Sequence, residues 1–163
     1  MTTALLKTLD VDENAISYDE HGERTNPTVV LLTGWCQDHR LFDPLVPRLA
    51  ADHHIVRIDW RGYGADRRPA ADFGPAEQAS DAIAVLDALG GSPLARMAAM
   101  RENRPIKHLF SQHTDPGYEV AQADFQTEHP WFSYRNLRGE THSPTLDSPQ
   151  LVAAEVRARA TGR

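Results

Sequence analysis

His142 stands in the turn Thr141-His142-Ser143-Pro144, just beyond a stretch, 132 to 137, that reads as a strand. Pro144 stiffens the turn, so the imidazole can be aimed into a cleft. A side chain that titrates near neutrality is suited to taking a proton there. The bland alternative is a solvated loop histidine. A second group of candidates lies far upstream, in Gly34-Trp35-Cys36-Gln37-Asp38-His39. The Trp35 indole can pack on a flat ligand or cover the end of a sheet as a core tryptophan. Gln37 and His39, on the same loop, can touch a ligand's polar edge. Cys36 is the one cysteine. It reads as a small buried residue rather than a nucleophile, and with no second cysteine in the sequence it agrees with a reducing compartment.

The elements that must position these residues are visible as patterns. Val29-Val30-Leu31-Leu32-Thr33 and His54-Ile55-Val56-Arg57-Ile58-Asp59 are branched apolar runs, each opening into a loop with glycine and an aromatic. Such runs read as buried parallel strands at 29 to 33 and 55 to 59. Two in succession imply a doubly wound α/β sheet, whose ligands bind at the carboxyl ends of the strands, here near Trp35. Residues 6 to 11 and 15 to 18 read as an edge hairpin around Asp12-Glu13-Asn14, with Ile16 and Tyr18 inward. Asp43-Pro44 is a candidate start for a helix carrying Leu45, Val46 and Leu49. A helix over 76 to 89 carries Ala79, Ile83, Leu86 and Leu89 on one face and stops at Gly90-Gly91. Late strands are expected at 106 to 110 and 132 to 137, and Ser148-Pro149 suits the start of a last helix running to 160. His53-His54 points two ways along a strand and reads as surface or packing. Trp131 reads as an anchor for the loop before the last strand.

Leu31-Leu32-Thr33-Gly34-Trp35-Cys36-Gln37-Asp38-His39-Arg40 and Asp59-Trp60-Arg61-Gly62-Tyr63-Gly64 are unusual spellings of the two strand-end loops. Together with the stretch 104 to 112, His129-Pro130-Trp131-Phe132-Ser133-Tyr134 and Thr141-His142-Ser143-Pro144, they resemble the cofactor-independent 3-hydroxy-4(1H)-quinolone 2,4-dioxygenases. That family is a branch of the α/β-hydrolase superfamily. The resemblance spans roughly residues 15 to 160. It implies that His142, last in the chain order of the fold, is the catalytic base. It implies further that the loop after the first parallel strand lends a backbone N–H, at Trp35, to an oxyanion hole. The implied reaction begins when the histidine takes the 3-hydroxyl proton. The quinolone anion then reacts with dioxygen, the peroxide attacks the 4-carbonyl carbon, and carbon monoxide leaves an N-acylanthranilate. No metal or flavin is required, and the chain shows no Cys-x-x-Cys, no two-histidine-one-carboxylate spacing and no Gly-x-Gly-x-x-Gly. Relatives often carry histidine where Gln37 stands.

Such a domain ordinarily takes roughly 250 residues. This chain has 163. The shortage is local: another helix-like stretch, 94 to 100, follows the helix ending at Gly90, and helix upon helix breaks the alternation that a parallel sheet requires. The chain therefore reads as a single α/β-hydrolase-like domain made of two blocks, 1 to 90 and 94 to 163, fused near Gly90 to Pro93. The central strand, nucleophile elbow, acidic residue and cap are absent. Ser92, in Gly90-Gly91-Ser92-Pro93-Leu94, lacks the second glycine and the preceding strand of a nucleophile elbow. Asp147, five residues after His142, could reach it by a local turn or could serve as a turn former or helix cap.

The net charge of -6 and pI of about 5.7 argue against nucleic acid or anionic membrane as partners. No apolar run approaches a membrane span, and the first ten residues lack a signal-peptide pattern, so a cytoplasmic protein is expected. Its partners would be a small aromatic heterocycle and dioxygen. Missing central strands would leave open edges, so self-association and marginal stability are also expected. Two other readings stand beside the dioxygenase: a generic hydrolase of esters or amides, and a non-catalytic remnant. His142 and Trp35 are expected to face one cleft.

Overall fold

A computed structural model describes residues 5–34, 37–64, 74–90, 106–111 and 116–161. Trp35, Cys36, Ser92 and the helix expected at 94 to 100 lie outside the described residues. The chain divides into two compact units, Met1–Pro93 and Leu94–Arg163.

The first unit opens with strand β1 (Lys7–Val11) and strand β2 (Asn14–His21), antiparallel with Lys7 opposite Tyr18. Asp12 and Glu13 both have positive φ, 47° and 65°, which is the two-residue turn whose twist matches that of the flanking strands. Strand β3 (Thr28–Leu32) is followed by a 3-10 turn (His39–Phe42), helix α1 (Val46–Leu49) and strand β4 (His54–Ile58). The sheet order among the described residues is β1-β2-β4-β3, with β3 and β4 parallel and β2 and β4 antiparallel.

Both apolar runs therefore form the parallel pair expected of them, each beginning one residue early. β2 departs from expectation, because it pairs with β4 as well as with β1, and only β1 is an edge of the hairpin. Since both its neighbours and both its faces are covered, Ser17 and Asp19 are buried along with Ile16.

Every residue of β4 is buried, whereas the more apolar β3 is only half-buried and leaves Leu32 43% exposed. Helix α2 (Pro75–Ala88) lies against this sheet. Its buried residues are Asp81, Ala82 and Val85. That face is rotated from the expected one, and Ala79 is exposed. Asp81 on that face binds the Arg61 guanidinium at 2.8 and 2.6 Å, so the inward side carries a charged pair beside its apolar residues. Ala82 and Val85 complete a core with Ile16, Val56, Ile58 and Trp60, against which Leu86 and Leu89 are partly buried. Full burial of each large apolar side chain contributes about 1.5–3 kcal/mol.

The second unit holds strand β5 (Ile106–Phe110), helix α3 (Pro116–Glu128), strand β6 (Phe132–Asn136), a short helix α4 (Pro144–Asp147) and helix α5 (Pro149–Thr161). β5 and β6 are parallel, with Ile106 opposite Phe132. An aromatic cluster ties α3 to the strands: Phe110 meets Tyr118 edge-on at 5.2 Å and Phe125 meets Phe132 edge-on at 4.9 Å. Trp131 is 43% exposed but packs edge-on against Phe125 at 5.8 Å, which suits a loop anchor.

Candidate functional site

At the carboxyl end of β4 the chain places Asp59, fully buried, directly after the last strand residue. Its backbone N–H donates to the Ser17 carbonyl at 2.9 Å. Its carboxylate turns toward the loop after β3, where one oxygen accepts the His39 backbone N–H at 2.5 Å and the other lies 2.7 Å from His39 Nδ1. Only glycine fits at position 64, because a Cβ there would lie 2.5 Å from Ser17 Cβ and 2.8 Å from the Asp59 carboxylate. The strand-end loop thus closes tightly over the acid and keeps water from it.

Arg57 secures His39 from the other side. Its guanidinium binds Asp19 through Nε and Nη2 at 2.8 and 2.5 Å, and its Nη1 donates to the His39 carbonyl at 3.0 Å and to Asp43 at 2.7 Å. His39 is therefore held at its N–H, its carbonyl and its Nδ1, with a side chain 20% exposed. In the tautomer that donates from Nδ1 to the Asp59 carboxylate, Nε2 is the acceptor nitrogen. Next to it, Arg40 grips Asp38 at 2.9 and 2.5 Å and holds that carboxyl down at about 2. Trp60 Nε1 donates to the Thr33 carbonyl at 2.8 Å, which pins the ends of β3 and β4 together. Gln37 is half-buried, and its side-chain oxygen would lie 3.1 Å from a Cβ at Gly34, so its amide folds back over the loop. Trp35, between them in sequence, lies outside the described residues.

His142 sits at the corresponding end of the second unit. Leu137 and Gly139 donate their backbone N–H groups to the carbonyls of Phe110 and Ser111, at 2.7 and 2.9 Å, so the chain leaving β6 stays tied to β5. The buried Ser111 hydroxyl then donates to the Thr141 carbonyl at 2.6 Å. One Asp147 carboxylate oxygen accepts the Thr141 N–H at 2.8 Å and the Thr141 hydroxyl at 2.9 Å. Partial desolvation pushes the Asp147 acid up, but these bonds and others from Ser111 and Glu140 outweigh it and hold the group below its ordinary range. Gly139 leaves the room, since a Cβ there would lie 2.4 Å from the Asp147 carboxylate. Asp147 is thus a turn former. His142 is exposed and has no hydrogen-bond or ion-pair partner among the described residues.

His53 and His54 are both buried rather than at the surface. His53 Nδ1 lies 3.0 Å from Asp52, and His54 bridges Thr28 and Glu20 at 3.2 and 3.1 Å. They pack the opposite end of β4. The residue that sequence reasoning missed is Asp59. Its signal was its position, an acid at the carboxyl end of a buried parallel strand, where ligands and catalytic groups collect. Among the described residues no group of three metal-ligating side chains could hold a metal ion, and no helix is long and apolar enough to cross a membrane.

A family model described as the alpha/beta hydrolase fold matches residues 27–161. A 2-heptyl-3-hydroxy-4(1H)-quinolone dioxygenase of Mycobacteroides abscessus is 26% identical over 259 aligned positions, taking in 93% of this chain and 96% of the relative. A 1H-3-hydroxy-4-oxoquinoline 2,4-dioxygenase of Pseudomonas putida is 25% identical over 259 positions, 93% of this chain and 98% of the relative. An alignment of 259 positions against 163 residues leaves at least 96 positions of either relative with no counterpart in this chain. Among solved structures, an AqdC variant in complex with its substrate, described as recognising and ring-cleaving the Pseudomonas quinolone signal, is similar with a TM-score of 0.85. Its identity is 25%, with 98% of this chain and 100% of that chain covered.

Proposed function

The chain belongs to the alpha/beta hydrolase fold family, and from that premise we propose that it is a cofactor-independent dioxygenase acting on 3-hydroxy-4(1H)-quinolones. The substrate ring would be cleaved with dioxygen to an N-acylanthranilate and carbon monoxide. The observation that carries this reading is the alignment with quinolone dioxygenases over 93% of the chain. In this proposal His142 takes the 3-hydroxyl proton. The Trp35 backbone N–H supports the developing oxyanion, while Trp35, Gln37 and His39 bind the heterocycle. A hydrolase of esters or amides is the weaker reading, because no Gly-x-Ser-x-Gly is present in the sequence.

We also propose that the chain is one domain shortened internally near residues 90–93. The aligned positions without counterpart and the division between units at Pro93 and Leu94 support this. The edge position and half-burial of β3 among the described residues favour self-association along that strand, which a mass measurement in solution tests. A cytoplasmic location completes the proposal.

The experiment is to supply the chain with 1H-3-hydroxy-4-oxoquinoline and dioxygen and to assay carbon monoxide. Release is expected, unaffected by a metal chelator. His142→Ala should reduce turnover by about 100-fold, the scale of positioned general-base catalysis. The deficit should shrink at high pH, where solvent ionises the substrate hydroxyl. A chain that neither binds the quinolone nor releases carbon monoxide would sink the reading.

A further inference from the structure

Edge strands of soluble proteins usually carry charges or prolines that keep other chains from adding to them. Among the described residues the other edges follow that rule: β1 carries Lys7 and Asp10, β5 carries Lys107 and β6 carries Arg135. The edge strand β3 is Thr-Val-Val-Leu-Leu, with neither a charge nor a proline. Its backbone is open in a regular pattern. The Pro27 carbonyl accepts the His54 N–H at 3.0 Å, and Thr28 stands opposite His54 in the parallel ladder. Backbone groups alternate sides along a strand, so those of Val29 and Leu31 face β4 while those of Thr28, Val30 and Leu32 face away from it. None of these outward groups has a backbone partner among the described residues. The side chains add to the opening. Helix α2 lies against β1 and β2, and Leu32 is left 43% exposed.

We propose that β3 pairs with β3 of a second copy of this chain, antiparallel and centred on Val30. A two-fold axis at Val30 sets that residue against its own counterpart and Thr28 against Leu32. Outward groups then meet outward groups, and each such pair exchanges both of its N–H···O=C bonds. A parallel partner fits worse, because parallel bonds are slanted and outward groups at equal height would miss one another. The edge is complementary to itself: uncharged residues lie on both sides of the axis, so no opposite charge on a foreign strand is called for. The joined sheet would end on both sides at β1, where Lys7 and Asp10 stop further addition, so the assembly closes at two. In it the two β4 strands run in opposite directions, which puts the two Asp59–His39 ends at opposite ends of the shared sheet. Each copy keeps its own site.

The proposal specifies the self-association along β3 put forward above and rests on it, and its test separates the two. The 163-residue chain is followed by sedimentation equilibrium across a range of concentrations, and a dimer is expected. Leu32→Pro removes an N–H that points away from β4, so the chain's own ladder survives while the interface loses one bond on each side of the axis. Its dissociation constant should rise about 100-fold, roughly tenfold for each net hydrogen bond. Leu32→Lys gives β3 the charge that the other edges have and should also weaken the dimer; it decides alone if Leu32→Pro does not fold. Orientation is read by disulfide trapping in a Cys36→Ala background. Hydrogen-bonded antiparallel neighbours have Cα atoms about 5.5 Å apart, within reach of a disulfide. Thr28→Cys and Leu32→Cys in one chain should link two copies under mild oxidation, and Leu32→Cys alone should not. A monomer overturns this proposal and the self-association together, and leaves the quinolone reading standing. A dimer that Leu32→Pro and Leu32→Lys leave equally tight, or an assembly larger than a dimer, overturns the closed β3 interface but not self-association. Efficient trapping by Leu32→Cys alone overturns the antiparallel register.

Discussion

His39 and His142 both stand in turns beyond the carboxyl end of a parallel strand, yet they are held in opposite ways. His39 is fixed at three atoms, and its carboxylate partner is fully buried. The bonds of the other turn run past His142 to Thr141, and the nearby acid serves backbone and hydroxyl. The difference follows from where each carboxylate sits. Asp59 comes directly off β4, whose residues are all buried and where an unpaired charge would be severely penalised. Asp147 lies on a half-buried turn, where several donors are within reach. An acid orients an imidazole where burial leaves it little else to do.

If burial governs what a carboxylate is worth, the largest loss should come from the most enclosed pair. Asp81 is completely buried and binds Arg61 through two oxygens. Asp81→Ala removes that bidentate partner from a buried guanidinium and should cost about 3–5 kcal/mol in urea denaturation. Against a total of about 5–15 kcal/mol, that is a large share of the stability. Arg61→Met added to Asp81→Ala should recover much of the loss, because the stranded charge is then gone. A loss below about 1 kcal/mol would break the link between burial and role.

Glu20 is the intermediate case, with a side chain 10% exposed. Burial raises its acid, but hydrogen bonds from Lys7, Arg24 and His54 more than offset this and hold it at about 2, against an ordinary 4.5. A folded-state value below the unfolded one means the stabilisation is fully present above pH 4.5 and is lost as pH falls toward 2. Lys7 and Arg24 are substantially exposed, so screening trims the effect to about 1–3 kcal/mol. Denaturation midpoints taken across that window should fall for the wild-type chain and flatten for Glu20→Gln. Parallel curves would assign the acid sensitivity to other groups.

What could be read ahead followed the strength of the local signal. β5 began and ended where it was expected, β3 and β4 were legible to within a residue because their branched side chains suit a pleated strand, and β6 was legible to within a residue from its aromatic Phe132 and Tyr134. Helix α3 was not visible at all: Val120 and Phe125 are exposed, and its sequence carries no apolar stripe. The inward face of α2 was misjudged because its pivot is Asp81, and hydrophobic periodicity discards a charged residue. The same blindness hid Asp59. His39 was legible as a polar residue on a functional loop, but its orientation depends on an acid twenty positions away that only the pairing of β3 with β4 brings near.

The smallest effect should come from the turn that carries His142. Asp147→Ala removes the acceptor for the Thr141 N–H and hydroxyl, and the Ser111 bond to the Thr141 carbonyl remains. The global denaturation midpoint should hardly move, because the bonds lost lie in a half-buried turn outside any core. The local effect should be plain: the Thr141 amide should exchange with solvent roughly tenfold faster, the factor that one net hydrogen bond provides. In the wild-type chain the same amide should lose protection as pH falls below the ordinary 3.8 of an aspartate, since the folded-state acid is held lower still and its acceptor disappears only on protonation. A large drop in global stability on Asp147→Ala would show that the second turn is as deeply braced as the first, and the contrast between the two histidines would then lie in solvent access alone.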